Sequence, residues 1–85
     1  MAETPAHRIK RLQMRSMRRG IKEMDLILGG FARTGLAGMS DEALDLYDRM
    51  LEESDHDLYQ WVTGQAEVPQ VYAGLMAQIK AGLAG

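Results

Sequence analysis

The segment Arg18-Arg19-Gly20-Ile21-Lys22-Glu23-Met24-Asp25 sets two guanidinium groups and two carboxylates on either side of a glycine. Such groups pair through charge-assisted hydrogen bonds, and the segment suits display to a partner better than burial. If Ile21 opens a helix, Glu23 falls in its first turn, where unpaired backbone N–H groups favour a carboxylate. Gly20 has two readings. It ends the preceding helix in a left-handed cap, with Arg19 and Glu23 as solvated surface groups, or it lets another backbone approach closely.

Elsewhere the residue types exclude chemistry. There is no cysteine, which rules out thiolate ligands, disulfides and nucleophilic thiols, and fits a reducing compartment. His7 and His56 lie too far apart for a helical metal pair, so no metal site is expected. No glycine-rich loop follows a strand, so this chain alone is expected to bind no cofactor, and Gly29-Gly30 is not a phosphate cradle. The acids Glu52, Glu53, Asp55 and Asp57 cluster at helix ends, where capping accounts for them. No catalytic residue is assigned. No enzymatic activity is expected.

The elements that must position the corner read as helices. A chain of 85 residues makes one domain, expected over 1–85 with an ordered core from about 6 to 83. Pro5 suits a first helical turn, followed by Ile9 and Leu12 among basic residues. After Gly20, Ile21, Met24, Ile27, Leu28 and Phe31 keep helical spacing, and the glycines beyond are expected to end that helix across Arg33 to Gly38. Ser40 caps a third helix bearing Leu44, Tyr47, Met50 and Leu51 and running to about Glu53. Asp55 is read as the cap of a fourth, carrying Leu58, Trp61 and Val62 and stopped by Gly64. Pro69 is read as opening a fifth, with Tyr72, Leu75, Met76, Ile79 and Leu83 on its stripe. The fold class is therefore all-α, a single bundle of five short helices.

Of the seven methionines, Met24, Met50 and Met76 fall on core stripes, while Met14, Met17 and Met39 fit them less well and are candidates for partner contact. Trp61 reads as core and Tyr59 as an exposed contact. The charge is uneven: residues 1–40 hold eight Lys/Arg against three Asp/Glu, and residues 41–85 hold two against nine. Either a basic and an acidic surface face different ways and orient a partner, or the halves attract each other on folding.

Taken with a second block, Ser54-Asp55-His56-Asp57-Leu58-Tyr59-Gln60-Trp61-Val62-Thr63-Gly64, the corner resembles the succinate dehydrogenase assembly factor 2 family and its bacterial FAD assembly counterparts. The family's Arg-Gly-x-x-Glu motif stands here as Arg19-Gly20-Ile21-Lys22-Glu23, with a basic neighbour at Arg18 and an acid at Asp25. The likeness covers residues 8–64, and the glycines at 29–30 and 35–38 depart from it.

The resemblance implies a helical bundle that binds the flavoprotein subunit of succinate dehydrogenase, with fumarate reductase as a further client. It promotes covalent FAD attachment there, the client's own histidine forming the bond to the flavin. It implies partner-binding roles for Arg18, Arg19, Gly20, Glu23, Asp25, Asp57 and Tyr59. Arg19 would pair with a carboxylate or carbonyl of the client, Gly20 would allow backbone approach, and Glu23 would reach toward the flavin-bearing site. A monomer is expected when free, without membrane insertion. The start, Met1-Ala2-Glu3-Thr4-Pro5, lacks a signal-peptide pattern and suggests a bacterial cytoplasmic protein, the eukaryotic relatives working in the mitochondrial matrix. The competing class is a small nucleic-acid binder using Arg8, Lys10, Arg11, Arg15, Arg18 and Arg19, and a thin apolar stripe argues against peripheral membrane attachment.

Overall fold

A computed structural model describes residues 3–84. Five α-helices run in order: α1 Pro5–Arg15, α2 Lys22–Gly35, α3 Asp41–Met50, α4 Asp55–Thr63 and α5 Ala73–Ala84. Among the described residues there is no strand. The all-α expectation holds.

Local chemistry explains where each helix starts and stops. The Thr4 side chain accepts from the His7 N–H with Pro5 in the first turn, and the Ser40 side chain accepts from Ala43 in the same way. Ser54, not Asp55, caps α4 by accepting from the Asp57 N–H at 3.2 Å, so the sequence expectation is one residue late. Gly64 closes α4 in the left-handed region at φ 79°, as its spacing predicts. Pro69 precedes a 3-10 turn over Gln70–Tyr72, and α5 begins only after it. Helix α3 ends at Met50 and not near Glu53, because Leu51 to Glu53 form the turn into α4.

One apolar cluster joins all five helices: Leu12 from α1, Met24 and Leu28 from α2, Tyr47 and Met50 from α3, Leu58 and Trp61 from α4, Met76 and Ile79 from α5. Each fully buried side chain of this size contributes about 1.5–3 kcal/mol by leaving water. The three methionines placed on core stripes are buried, and Met14 and Met17 are exposed. Leu83, expected on the core stripe of α5, is exposed, since the cluster reaches only as far as Ile79. Phe31 is half-buried and lies 5.7 Å from the Tyr47 ring, a tilted contact. Inside the core, Ser16 Oγ donates to the Leu12 carbonyl at 2.7 Å and meets Tyr47 Oη at 2.6 Å, which satisfies both hydroxyls out of contact with water.

The unequal charge is resolved by folding, not by display. Arg8, Arg11 and Arg15 of α1 meet Asp45, Asp48 and Glu52 across α3 and the turn after it. Both sets are spaced by three and then four residues and run in the same chain direction, so two parallel faces zip together. The reading of oppositely directed basic and acidic surfaces is thus corrected in favour of mutual attraction. Arg8, Arg11, Arg15 and Arg19 are all engaged by carboxylates, leaving Lys10 and Arg18 of the basic run that the nucleic-acid reading requires. Individual partly exposed pairs of this kind contribute roughly 0–1 kcal/mol each.

Asp48 sits at the centre of the zipper. Hydrogen bonding from Arg11 holds its carboxyl below the usual carboxylate range, opposed by partial burial and assisted by the positive charges of Arg11 and Arg15. A depressed folded-state value means stability that is present above the unfolded carboxylate range, about pH 4, and lost as the pH falls through the folded value. Asp48→Asn is therefore expected to lower the melting temperature at pH 7 and to flatten its decline on acidification. Thermal unfolding followed by circular dichroism between pH 7 and pH 2 measures this, and an unchanged acid limb refutes it.

Candidate functional site

The turn between α1 and α2 is built from the outside. Ile21 occupies the N-cap of α2 and makes no side-chain capping bond, so the first turn of that helix carries no cap of its own. Arg18 adopts a left-handed backbone conformation at φ 57°, uncommon for a residue with a side chain, and its N–H donates to Asp25 Oδ1 at 2.5 Å. Asp25, taken in the sequence as a partner contact, thus holds its own turn.

Arg19 is the second internal residue. Its Nε donates to Asp55 Oδ1 at 2.7 Å, and the two side chains are only 13% and 15% exposed. The rest of its fork reaches the carbonyls of Arg15 at 3.0 Å and Leu51 at 3.2 Å, at the carboxyl ends of α1 and α3. A guanidinium belongs at such ends, where unpaired carbonyls concentrate negative charge. The expectation that Arg19 pairs with a client is therefore corrected: its guanidinium is largely buried and engaged within the fold.

Gly20 is not a left-handed cap. Among the described residues the one glycine with positive φ is Gly64. The Gly20 N–H instead donates to Asp55 Oδ2, and a Cβ built at Gly20 would lie 3.1 Å from that same oxygen. The close approach foreseen at this glycine is real, but its partner is α4 of the same chain.

What remains at the rim is display. Glu23 is exposed in the first turn of α2, and among the described residues no hydrogen bond or ion pair engages its carboxylate or the exposed Arg18 guanidinium. Tyr59 is half-buried against the core and lies one turn beyond Asp55 on the same face of α4. Asp57 is separate, since two residues on from Asp55 it stands roughly 200° around the helix. Met17 lines a groove with Leu26, Gly29 and Gly30 beside the turn, with Asp25 at its edge. Among the described residues no group of acids and histidines is placed to hold a metal ion, and no helix is long and apolar enough to cross a membrane.

Sequence reasoning missed Asp55 as the organising residue because it was read as a helix cap. The signal was available: acids at 45, 48, 52 and 55 match cations at 8, 11, 15 and 19 at a nearly constant separation.

A helical bundle with an internally braced turn, rimmed by an unengaged carboxylate and guanidinium, defines the class: a small all-helical protein with a polar corner. The chain belongs to the family described as flavinator of succinate dehydrogenase, whose model matches residues 10–82. It is 48% identical over 58 residues to the mitochondrial succinate dehydrogenase assembly factor 2 of Debaryomyces hansenii, covering 68% of this chain and 41% of that protein. The corresponding protein of Meyerozyma guilliermondii is 44% identical over 66 residues, covering 78% of this chain and 49% of its own length. That of Candida glabrata is 53% identical over 53 residues, 62% of this chain and 35% of the relative. The chain thus spans less than half the length of these relatives.

The geometry separates the two readings of Gly20 by stability alone. Because its backbone is not left-handed, asparagine has no advantage over alanine there. Gly20→Ala and Gly20→Asn are both expected to destabilise, by about 1–3 kcal/mol as the bond to Asp55 is strained. Urea denaturation of the two variants measures this. Wild-type stability for asparagine with loss for alanine alone is the pattern of a left-handed cap, and it would refute the assignment.

Proposed function

We propose that this chain docks on the flavoprotein subunit of succinate dehydrogenase and promotes covalent attachment of FAD there, with no catalytic group of its own. Membership of the flavinator family supports the client, and the observation that carries the mode of action is the exposed, unengaged Glu23 carboxylate at the end of the braced turn. FAD stays on the client, whose own histidine forms the bond to the flavin. The task left to a helper is positioning, which alone supplies large rate effects when it converts loose reactants into an aligned pair.

Docking must favour the attachment-competent conformation of the client over others, and each tenfold shift in that population needs about 1.4 kcal/mol of differential binding. A charge-assisted hydrogen bond from the client to Glu23 supplies a contribution of this size, roughly 1.5–3 kcal/mol. Arg18 in the same turn and Tyr59 one turn beyond Asp55 complete the docking face, whereas Arg19, Gly20 and Asp25 serve by shaping it. Asp57 lies round α4 and adds a second contact only if the client wraps the helix. The helper acts as a monomer in the bacterial cytoplasm, and the flavoprotein subunit of fumarate reductase is a second client.

The test is complementation in cells that lack a chain of this family, reading flavin fluorescence of the denatured flavoprotein subunit in a gel. Wild type is expected to restore the covalent signal and Glu23→Ala to restore a tenth of it or less, with an unchanged melting temperature because the side chain is exposed. Full fluorescence with Glu23→Ala, or fluorescence independent of the chain, overturns the reading.

A further inference from the structure

We propose that Asp55 is the positioning residue of the docking face: its carboxylate sets the conformation in which the α1–α2 turn presents Glu23 to the client. This rests on the function proposed above and assigns a role to a residue outside the Arg-Gly-x-x-Glu motif. The two oxygens serve two consecutive residues of the turn, Oδ1 accepting from Arg19 Nε and Oδ2 from the Gly20 N–H. Asp55 itself is fixed in the first turn of α4, one residue past the Ser54 cap, where the helix N-terminus favours its charge. Arg19 in turn ties the carboxyl ends of α1 and α3 to the same point.

Few other polar contacts fix the approach to α2 among the described residues. Its N-cap, Ile21, offers no side-chain acceptor, and Arg18 just before the pair holds a left-handed backbone that an unrestrained chain abandons at little cost. Asp25 restrains Arg18 from within α2, so it moves with that helix and cannot anchor the helix to the bundle. Asp55 couples both residues of the turn to α4, whereas the bond of Arg19 to the Leu51 carbonyl ties only its own side chain to the end of α3. Glu23 follows Gly20 by three residues, so any rotation of the turn carries its carboxylate along.

A carboxamide of the same shape cannot replace this group. Asparagine offers one accepting oxygen and one donating NH2, so either Arg19 or the Gly20 N–H faces a donor. Asp55→Asn thus keeps the packing and releases the turn. If the docking conformation falls from dominant to a tenth of the population, the apparent Kd for the client rises tenfold.

The experiment measures the Kd of the purified full chain for the FAD-loaded flavoprotein subunit, by biolayer interferometry, for wild type, Glu23→Ala, Asp55→Asn and the double variant, alongside melting temperatures. Asp55→Asn is expected to weaken binding tenfold or more while remaining folded, and Glu23→Ala is expected to cost little further in its background. That non-additivity is the mark of action through Glu23, since simple destabilisation leaves the two losses independent. Unchanged binding by Asp55→Asn, or fully additive losses, overturns the proposal. Should Asp55→Asn fail to fold, Asp55→Glu keeps the charge opposite Arg19 while displacing the contact by a methylene. Loss of affinity in that folded variant supports the proposal and wild-type affinity overturns it. Failure of the wild-type chain to bind the flavoprotein subunit is a different result, which refutes the proposed function and this inference with it.

Discussion

One carboxylate accepting from two successive residues of a turn is the constraint on which the arrangement depends. Asp55 reads the guanidinium of Arg19 with one oxygen and the backbone of Gly20 with the other, and Arg19 extends the same contact to the ends of α1 and α3. Four helix termini therefore meet at a single partly buried ion pair. Breaking such a pair from one side typically costs 3–5 kcal/mol, because the remaining charge stays out of water without a partner. A bundle this small has little stability in reserve, so the meeting point holds the fold together and shapes its surface at once.

This places the motif residues in a different relation from the one their types suggest. Arginine and glutamate four apart around a glycine read as three contact residues of equal standing. In the folded chain they divide: Arg19 and Gly20 face inward and are satisfied, while Glu23 faces outward and is not. The division follows from helix geometry. The turn brings Arg19 and Gly20 against the N-terminus of α4, and once α2 has begun, its first turn alternates the buried Met24 with the exposed Glu23. One short motif thus does two things at once, part of it shaping the loop and part of it facing solvent.

The helices were legible because their signals are local. Serine and threonine caps, Gly64 and the three- and four-residue spacing of Leu44, Tyr47, Leu58 and Trp61 act within one or two turns, and they correspond closely to the observed elements. Exposure of Leu83 was not legible, because it depends on how far the other helices extend and not on the period of α5. The fate of Arg19 was hidden for a similar reason. Its partner lies 36 residues away, and only the register of α1 against α3 brings the two together. That register is nonetheless written in the sequence, in the matched spacing of cations and acids, and it shows only when the two halves are aligned with each other and not weighed as separate charge totals.

The zipper also accounts for why the turn lies where it does. Arg8 with Asp45, Arg11 with Asp48 and Arg15 with Glu52 are partly exposed pairs that each contribute little, and together they favour a parallel alignment of α1 and α3. A slip of one turn would leave Arg19 without its carboxylate, at a desolvation penalty far above what a surface pair returns. Weak contacts therefore align the two helices, and the single strong one at the end of the row fixes their register. Glu23 inherits its position from this register, four residues beyond the last rung, where its carboxylate faces solvent and meets no partner among the described residues.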